Sequence, residues 1–182
     1  ILVNGPLPTA LTFDATINAE RGSGGYWSNG FLIFDYQGPT DFKFAGAKVG
    51  ANDWMIGRRD ASGWHDDVSF GETINAGIHY DLSVGISGSE ATLSVNGVVK
   101  AAYTYADSLT DGQLGLGTEN GITRFDDVQV QATGGMTSLA FGTTSSADDN
   151  RPGLVQRDAT AEVQRAIASD APAVNQLSVR EA

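Results

Sequence analysis

The sequence predicts an all-β sandwich of antiparallel strands. Short runs of alternating or apolar residues recur from about residue 9 to residue 132, and turn residues separate them. The chain has 23 glycines in 182 residues. This exceeds the average glycine share of about 7%, and glycine supplies the backbone angles that tight hairpins need. No helical pattern of about 10–15 residues interrupts the runs, which argues against alternating strands and helices.

Ten segments have the composition and length of strands. They are residues 10–18, 30–36, 41–47, 53–59, 64–70, 80–86, 91–95, 98–105, 112–117 and 125–130. Residues 30–36 (GFLIFDY) are apolar on both faces, as expected of a central strand. Residues 60–63 (DASG) and 96–97 (NG) have the composition of hairpin turns, and Asn-Gly is the strongest short signal for one.

The last of these segments requires an irregularity. Phe125, Val128 and Val130 cannot share one face of a strand if its residues alternate strictly. A bulge at Asp126 and Asp127 would turn all three apolar side chains to the same side. We therefore expect a bulge at this pair of aspartates.

The charge balance disfavours two classes of partner. The formal net charge is −11, and lysine occurs only at Lys43, Lys48 and Lys100. Such a surface repels the phosphates of nucleic acids and anionic membranes, so no nucleic-acid partner is expected. No apolar stretch approaches the roughly 18 residues that span a bilayer, so membrane insertion is not expected either.

The composition and the first residues indicate the kind of protein that the chain comes from and its location. The absence of cysteine excludes thiolate catalysis, disulfides and cysteine-based zinc sites. The chain opens at Ile1 without an initiating methionine or a basic region, so we expect a piece of a longer parent chain with further domains. The acidic composition suits an extracellular or cell-surface location.

The chain divides into two regions of different composition. We expect the sandwich to occupy residues 1–132 and a linker to occupy residues 133–182, which are rich in Ala, Ser, Thr, Asp and Gln. A short helix is predicted at about residues 158–169, because Asp158 can cap its first turn and apolar residues recur on one face.

Residues 80–130 carry a family resemblance. An alternating strand leads to a second strand that ends in the Asn-Gly turn. The segment SLTDGQLGL follows at residues 108–116, and FDDVQV closes the set at residues 125–130. This order resembles the second half of the concanavalin A-like lectin and glucanase superfamily, and in particular its laminin G-like modules. Over about residues 9–132 the resemblance implies a two-sheet jelly-roll sandwich of the kind found in bacterial secreted or cell-surface proteins.

The superfamily includes lectins, adhesion modules and enzymes, so the resemblance alone leaves the function open. Its glucanases carry paired glutamates on one strand, and such carboxylates must lie about 5–5.5 Å apart. No two glutamates of this chain lie within reach on one strand; they are Glu20, Glu72, Glu90, Glu119, Glu162 and Glu181. We therefore expect a non-catalytic recognition or adhesion module that binds a glycan or a surface protein. A glycan-degrading domain with an unfamiliar active site and a ligand-free spacer are the alternatives.

Three tryptophans, Trp27, Trp54 and Trp64, are candidates for a ligand site. Exposed indoles stack on the apolar faces of sugar rings, while nearby polar side chains bind the hydroxyls. The strands on either side of the first predicted hairpin would present two of these indoles together with Arg58, Arg59 and His65. The alternative is that Trp54 and Trp64 are core residues, because apolar residues share their strand faces.

One row of polar residues has the composition of a catalytic triad. By alternation, His65, Asp67 and Ser69 share one face of their strand. Residues at i and i+2 are about 6.6–7 Å apart along a strand, and no motif supplies an oxyanion hole. A solvated sheet face is the better interpretation of this row.

Asp126 and Asp127, with Glu20, are candidates for a structural calcium site. Ca²⁺ takes about six to eight oxygen ligands, which carboxylates and backbone carbonyls supply. The competing interpretation is a salt bridge from one of the aspartates to Arg21 or Arg124.

Overall fold

A computed structural model of the chain describes residues 2–3, 7–20, 29–119, 121–133, 138–143 and 175–179. Within these ranges the backbone forms strands and one short 3-10 helix, Val49–Ala51. The strands are β1 (Leu2–Val3), β2 (Ala10–Glu20), β3 (Asn29–Gly38), β4 (Asp41–Lys48), β5 (Asp53–Asp60), β6 (Gly63–Gly71), β7 (His79–Ser87), β8 (Glu90–Val95), β9 (Val98–Thr104), β10 (Gln113–Glu119), β11 (Ile122–Ala132), β12 (Ser138–Thr143) and β13 (Asn175–Val179).

The strands form two sheets that pack face to face. One sheet has the order β1-β10-β3-β4-β5-β6, and the other has the order β13-β12-β11-β2-β7-β8-β9. All neighbouring strands are antiparallel except β12 and β13. The predicted all-β, two-sheet jelly-roll sandwich is confirmed, and the ten predicted segments correspond to β2 through β11.

Two strands lie in the segment 133–182, for which the sequence predicted a linker. β12 pairs with β11, and β13 pairs with β12, so both extend the edge of the seven-stranded sheet. The helix predicted at residues 158–169 lies outside the described residues. In the ranges that the structure describes, no helix has the length and apolar character needed to cross a membrane.

The main core lies between the two sheets, where the alternating apolar residues of both inner faces meet. Strand β2 shows the pattern most clearly, because every second residue from Leu11 to Ala19 is buried and the residues between them are partly exposed. Burying apolar area of this kind stabilises a fold by roughly 25 cal/mol per Å². The largest fully buried side chains are Trp54, Phe13, Phe34, Phe44, Leu11, Ile17, Leu32, Ile56, Leu82, Ile86, Leu93 and Leu109.

The predicted turn and bulge are both present. Asn96 and Gly97 have φ angles of 49° and 77°, as a tight hairpin between twisted strands requires. In β11 the pairing with β2 shifts between Asp126 and Gln129, and Asp127 has a φ of 49°. The bulge turns Val128 into the core, where Val130 also lies.

A largely buried ion pair joins Asp35 on β3 to Lys43 on β4. The Lys43 Nζ atom lies 2.6 Å from Asp35 Oδ2, and the side chains are 17% and 4% exposed. Burial raises the pKa of Asp35, and the Lys43 ammonium opposes that rise. Asp35 also has a φ of 46°, which marks a bulge in β3 where the pairing with β4 shifts.

We expect Lys43→Met to destabilise the protein by about 3 kcal/mol, because it leaves the Asp35 carboxylate buried without its cation. Urea unfolding monitored by tryptophan fluorescence measures this change.

The matched control is Lys48→Met. Lys48 forms an ion pair with Asp66 at 3.0 Å, but those side chains are 30% and 45% exposed. An exposed pair contributes less than about 1 kcal/mol. Equal losses of stability in the two variants would contradict the assignment of Asp35 as the buried charge.

Candidate functional site

The outer face of the six-stranded sheet carries a second apolar layer, which the sequence analysis did not predict. Its buried members are Phe31, Phe42, Phe44 and Met55, with Ile33 and Tyr36 packed against them. These side chains point away from the other sheet, because they alternate with core residues of β3, β4 and β5. The signal for this layer was present in residues 30–36, which are apolar on both faces.

Trp64 lies on top of this layer. Its indole centroid is 5.1 Å from the ring of Phe44, 5.5 Å from Phe42 and 5.9 Å from Phe31. The three phenylalanines are at most 7% exposed, whereas Trp64 is 41% exposed. One side of the indole therefore packs on aromatic rings and the rest faces solvent.

A glycine lets Trp64 reach the rings of β4. Gly57 on β5 lies between Phe44 on β4 and Asp66 on β6 in the register of the sheet. A Cβ atom at Gly57 would lie 2.6 Å from Phe44 Cζ and 2.2 Å from the carbonyl oxygen of His65. Because this position has no side chain, the aromatic rings of β4 and β6 can meet across β5.

Charged groups lie on the same outer face as Trp64. The guanidinium carbon of Arg59 lies 5.9 Å from the indole centroid, a distance at which a cation interacts favourably with the ring. On the same face the ion pair of Lys48 and Asp66 spans from β4 to β6. We call this surface the Trp64 platform, defined by Trp64, Arg59, Lys48 and Asp66.

The register of β5 and β6 decides which face each tryptophan occupies. Arg59 pairs with Trp64 and Gly57 pairs with Asp66, so these residues share the outer face. The register shifts at the next pair, where Ile56 faces Val68. This bulge lets Val68 pack against the core although Trp64 and Asp66 point outward.

Trp54 is a core residue, which corrects its prediction as a ligand-binding one. It is 1% exposed, and its ring packs edge-on against Tyr80 at 5.2 Å. Its indole N–H donates a hydrogen bond to Glu72 Oε2 at 2.9 Å. The side chain alternates with Met55, and since Met55 belongs to the outer layer, Trp54 must face the other sheet.

Arg58 and His65 lie near Trp64 in sequence but on the opposite face of the sheet. They pair with each other across β5 and β6, on the side to which Trp54 points. Arg58 forms ion pairs with Asp67 and Asp60. The structure therefore does not bring these two predicted residues together with the indole of Trp64, and the third tryptophan, Trp27, lies outside the described residues.

His65 does form a small polar cluster at the hairpin turn. Ser62 Oγ lies 2.9 Å and Asp60 Oδ1 lies 3.1 Å from the same ring nitrogen, Nε2. A catalytic relay needs the carboxylate on the other ring nitrogen, so this geometry is that of a turn rather than of a triad. Asp60 accepts hydrogen bonds from the hydroxyl and the backbone N–H of Ser62, and these bonds lower its pKa well below the usual range.

Asp67 and Tyr105 lie close to each other on the inner face of the sheet, where each hydrogen-bonds to β5. The Asp67 side chain is 5% exposed and accepts a hydrogen bond from Arg58 on one oxygen. Its Oδ2 atom has no hydrogen-bond partner among the described residues. Burial, followed by the nearby Asp67 carboxylate, raises the pKa of Tyr105 far above its usual range, and the phenol donates a hydrogen bond to the Gly57 carbonyl oxygen at 3.0 Å.

The three residues predicted to bind calcium do not form one coordination site. Asp126 pairs with Thr16 and Arg124 with Asn18, while Glu20 lies further along β2. Arg124 therefore stands between the two carboxylates, and it forms an ion pair with Glu20. In the described part of the chain, no group of three His, Asp or Glu side chains has the geometry to hold a metal ion.

Asp127 instead lines a shallow depression on the outer face of the seven-stranded sheet. The depression has a volume of about 350 Å³, and Asp14, Asp81 and Ser83 also line it. Thr16 donates a hydrogen bond to Asp81 at 2.8 Å. Burial raises the pKa of Asp14, and a hydrogen bond with Ser83 opposes that rise.

Two aspartates with opposite pKa shifts give a testable pH dependence. Because the pKa of Asp14 is raised on folding, its ionisation costs stability as the pH rises above the usual aspartate range. We expect Asp14→Asn to raise the melting temperature at pH 7, with a gain that disappears as the pH falls towards about 3.

Asp60→Asn is the matched comparison, because the pKa of Asp60 is lowered on folding. Its carboxylate stabilises the fold at neutral pH, so this variant should melt at a lower temperature at pH 7, and its loss should shrink on acidification. Melting curves of both variants between pH 3 and pH 7 measure the two effects. Shifts of the same sign would contradict the assignment.

No protein-family model matches this sequence, and no curated protein matches it. Three solved structures are similar to the chain. The carbohydrate binding module CBM66 from Bacillus subtilis is 14% identical with a TM-score of 0.61, over 68% of this chain and 75% of that chain. Sheep galectin-11, in complex with glycerol, is 12% identical with a TM-score of 0.56, over 71% and 96% of the two chains. A variant of human galectin-16 is 11% identical with a TM-score of 0.58, over 73% and 95%. These similarities show the shared fold, a two-sheet jelly-roll sandwich.

Proposed function

We propose that this protein is a non-catalytic recognition module of a secreted or cell-surface protein, and that it binds a glycan on the Trp64 platform. The observation that carries the proposal is the exposure of Trp64 above a buried aromatic layer, with charged side chains on the same face. An indole in water that is also fixed from below by packing is a preorganised surface for a flat ligand.

The chemistry of the platform matches that of a sugar ring. A pyranose has an apolar face of C–H groups and a rim of hydroxyls. The exposed side of Trp64 can pack against the apolar face, and the hydroxyls can then bond to the charged groups of Arg59, Asp66 and Lys48. An aromatic contact with a few placed polar groups is the usual composition of a small-ligand site.

The structural comparisons support the same class of ligand. One of the similar structures is named as a carbohydrate-binding module, and the others are galectins. The resemblance of residues 80–130 to laminin G-like modules of bacterial secreted or cell-surface proteins supports an exported setting for the module. The net charge of −11 favours an exported module that stays apart from nucleic acids and anionic membranes.

The two alternatives receive less support. Among the described residues, Asp14 and Asp81 line one depression that a glycan-degrading domain could use, but no tryptophan lines it. In a ligand-free spacer, Trp64 would serve only to cover the buried aromatic layer, and this role does not account for the exposed part of the indole or for the position of Arg59 over its ring.

We expect Trp64→Ala to weaken glycan binding at least about tenfold, which corresponds to roughly 1.4 kcal/mol. The reason is the loss of the apolar contact with the sugar ring. A glycan array with the wild type identifies a ligand, and calorimetry with that ligand measures the change in Kd.

Phe70→Ala is the matched control. Phe70 lies on the same strand and is 44% exposed, close to the 41% of Trp64, but it pairs with Trp54 and therefore belongs to the opposite side of the sheet. It should bind the glycan with unchanged Kd. If Trp64→Ala binds as tightly as the wild type, or if no glycan binds at all, the proposed function is wrong.

A further inference from the structure

We propose that the glycan carries an anionic substituent, a carboxylate or a sulfate ester, and that Arg59, whose guanidinium lies over the Trp64 ring, binds it. This inference rests on the proposed function and names the chemical class of its ligand.

The first argument is the pairing of the cations. Apart from Arg59, every lysine and arginine that the structure describes forms an ion pair with a carboxylate. The pairs are Lys43 with Asp35, Lys48 with Asp66, Arg58 with Asp67, Lys100 with Glu72 and Arg124 with Glu20. In a chain of net charge −11, a cation has many possible partners. Among the described residues, Arg59 alone has no carboxylate partner.

The contacts of Arg59 leave most of its donors available. One nitrogen donates to the backbone oxygen of Asp60, and the guanidinium lies 5.9 Å from the centre of the Trp64 ring. A guanidinium has five N–H groups arranged in a planar fork. A carboxylate or sulfate accepts two parallel hydrogen bonds from such a fork, which a neutral hydroxyl cannot do.

The position of Arg59 next to Trp64 determines where the anionic group of the glycan would lie. Arg59 and Trp64 are directly paired across β5 and β6, and both side chains lie on the outer face. The guanidinium carbon lies over the Trp64 ring, 5.9 Å from its centre, so a pyranose that packs on the part of the indole left exposed lies next to the guanidinium. A carboxylate at C6 or a sulfate ester on the edge of the pyranose nearest Arg59 would reach the guanidinium while the sugar stays on the indole.

The charge of the protein also limits how many anionic groups the ligand carries. Lys48, the other cation of the platform, is neutralised by Asp66. Charges farther apart than about 8 Å are largely screened at physiological salt, so one local contact is possible in spite of the negative total. A densely charged polymer would meet unfavourable interactions with the remaining acidic surface. A glycan with isolated anionic groups fits this surface best.

The test compares matched ligands on one array and then in solution. The ligands are glucosides and galactosides in three forms: the neutral sugar, its uronic acid and its 6-sulfate. We expect the wild type to bind at least one anionic form about tenfold more tightly than the neutral form, as a charge-assisted bidentate contact allows. Preference for the uronic acid or for the sulfate identifies which anion Arg59 binds.

Two variants assign the preference to Arg59. Arg59→Gln should bind the neutral and anionic forms equally, while Arg59→Lys should keep part of the difference because it retains the charge without the planar fork. Arg124→Gln removes an arginine from the other sheet and should behave as the wild type. The melting temperature of each variant reports whether it is folded.

The outcomes separate this inference from the proposed function. If neutral glycans bind through Trp64 as tightly as the anionic forms, or if Arg59→Gln keeps the anionic preference, the inference is wrong and the proposed function stands. If no sugar form binds, or if binding does not depend on Trp64, the proposed function fails and the inference fails with it.

Discussion

The register of the β5–β6 hairpin is the constraint on which the candidate site depends. The hairpin turn pairs Arg59 with Trp64, and this pairing puts the indole outside the sandwich. On β5, Trp54 lies five residues before Arg59, so its side chain points to the opposite face and fills the core. A slip of one residue between β5 and β6 would turn Trp64 to the inner face, because side chains alternate along a strand, while the pairing of β5 with β4 would still hold Trp54 in the core. The hydrogen bonds from Ser62 to Asp60 hold the turn that fixes this register.

A bulge lets β6 place apolar side chains on both of its faces. Without it, Val68 would share the outer face with Trp64 and Asp66. The register shift between Ile56 and Gly57 returns Val68 to the core, so one edge strand contributes to both apolar layers. The bulge also interrupts the regular pairing of an edge strand, which protects it from pairing with other chains.

The second apolar layer explains how an exposed tryptophan can be held in one place. The rings of Phe31, Phe42 and Phe44 are buried beneath it and restrict its rotation. A side chain that is already ordered loses little conformational entropy when a ligand binds. The same layer stabilises the outer face of the sheet, so the platform is part of the packing of the domain rather than an addition to it.

The sequence by itself determined the all-β class, the ten central strands, the Asn96-Gly97 turn and the bulge at Asp126 and Asp127. These follow from local alternation and turn chemistry, which act over a few residues. Only the tertiary structure decided which tryptophan is buried, that Arg124 separates Glu20 from Asp126, and that Arg59 rather than Arg58 accompanies Trp64. Each of these depends on the register between strands, which long-range pairing sets and which the alternation of residues within one strand does not show. The antiparallel sandwich was thus determined by the residue pattern, and its functional face was determined by the packing.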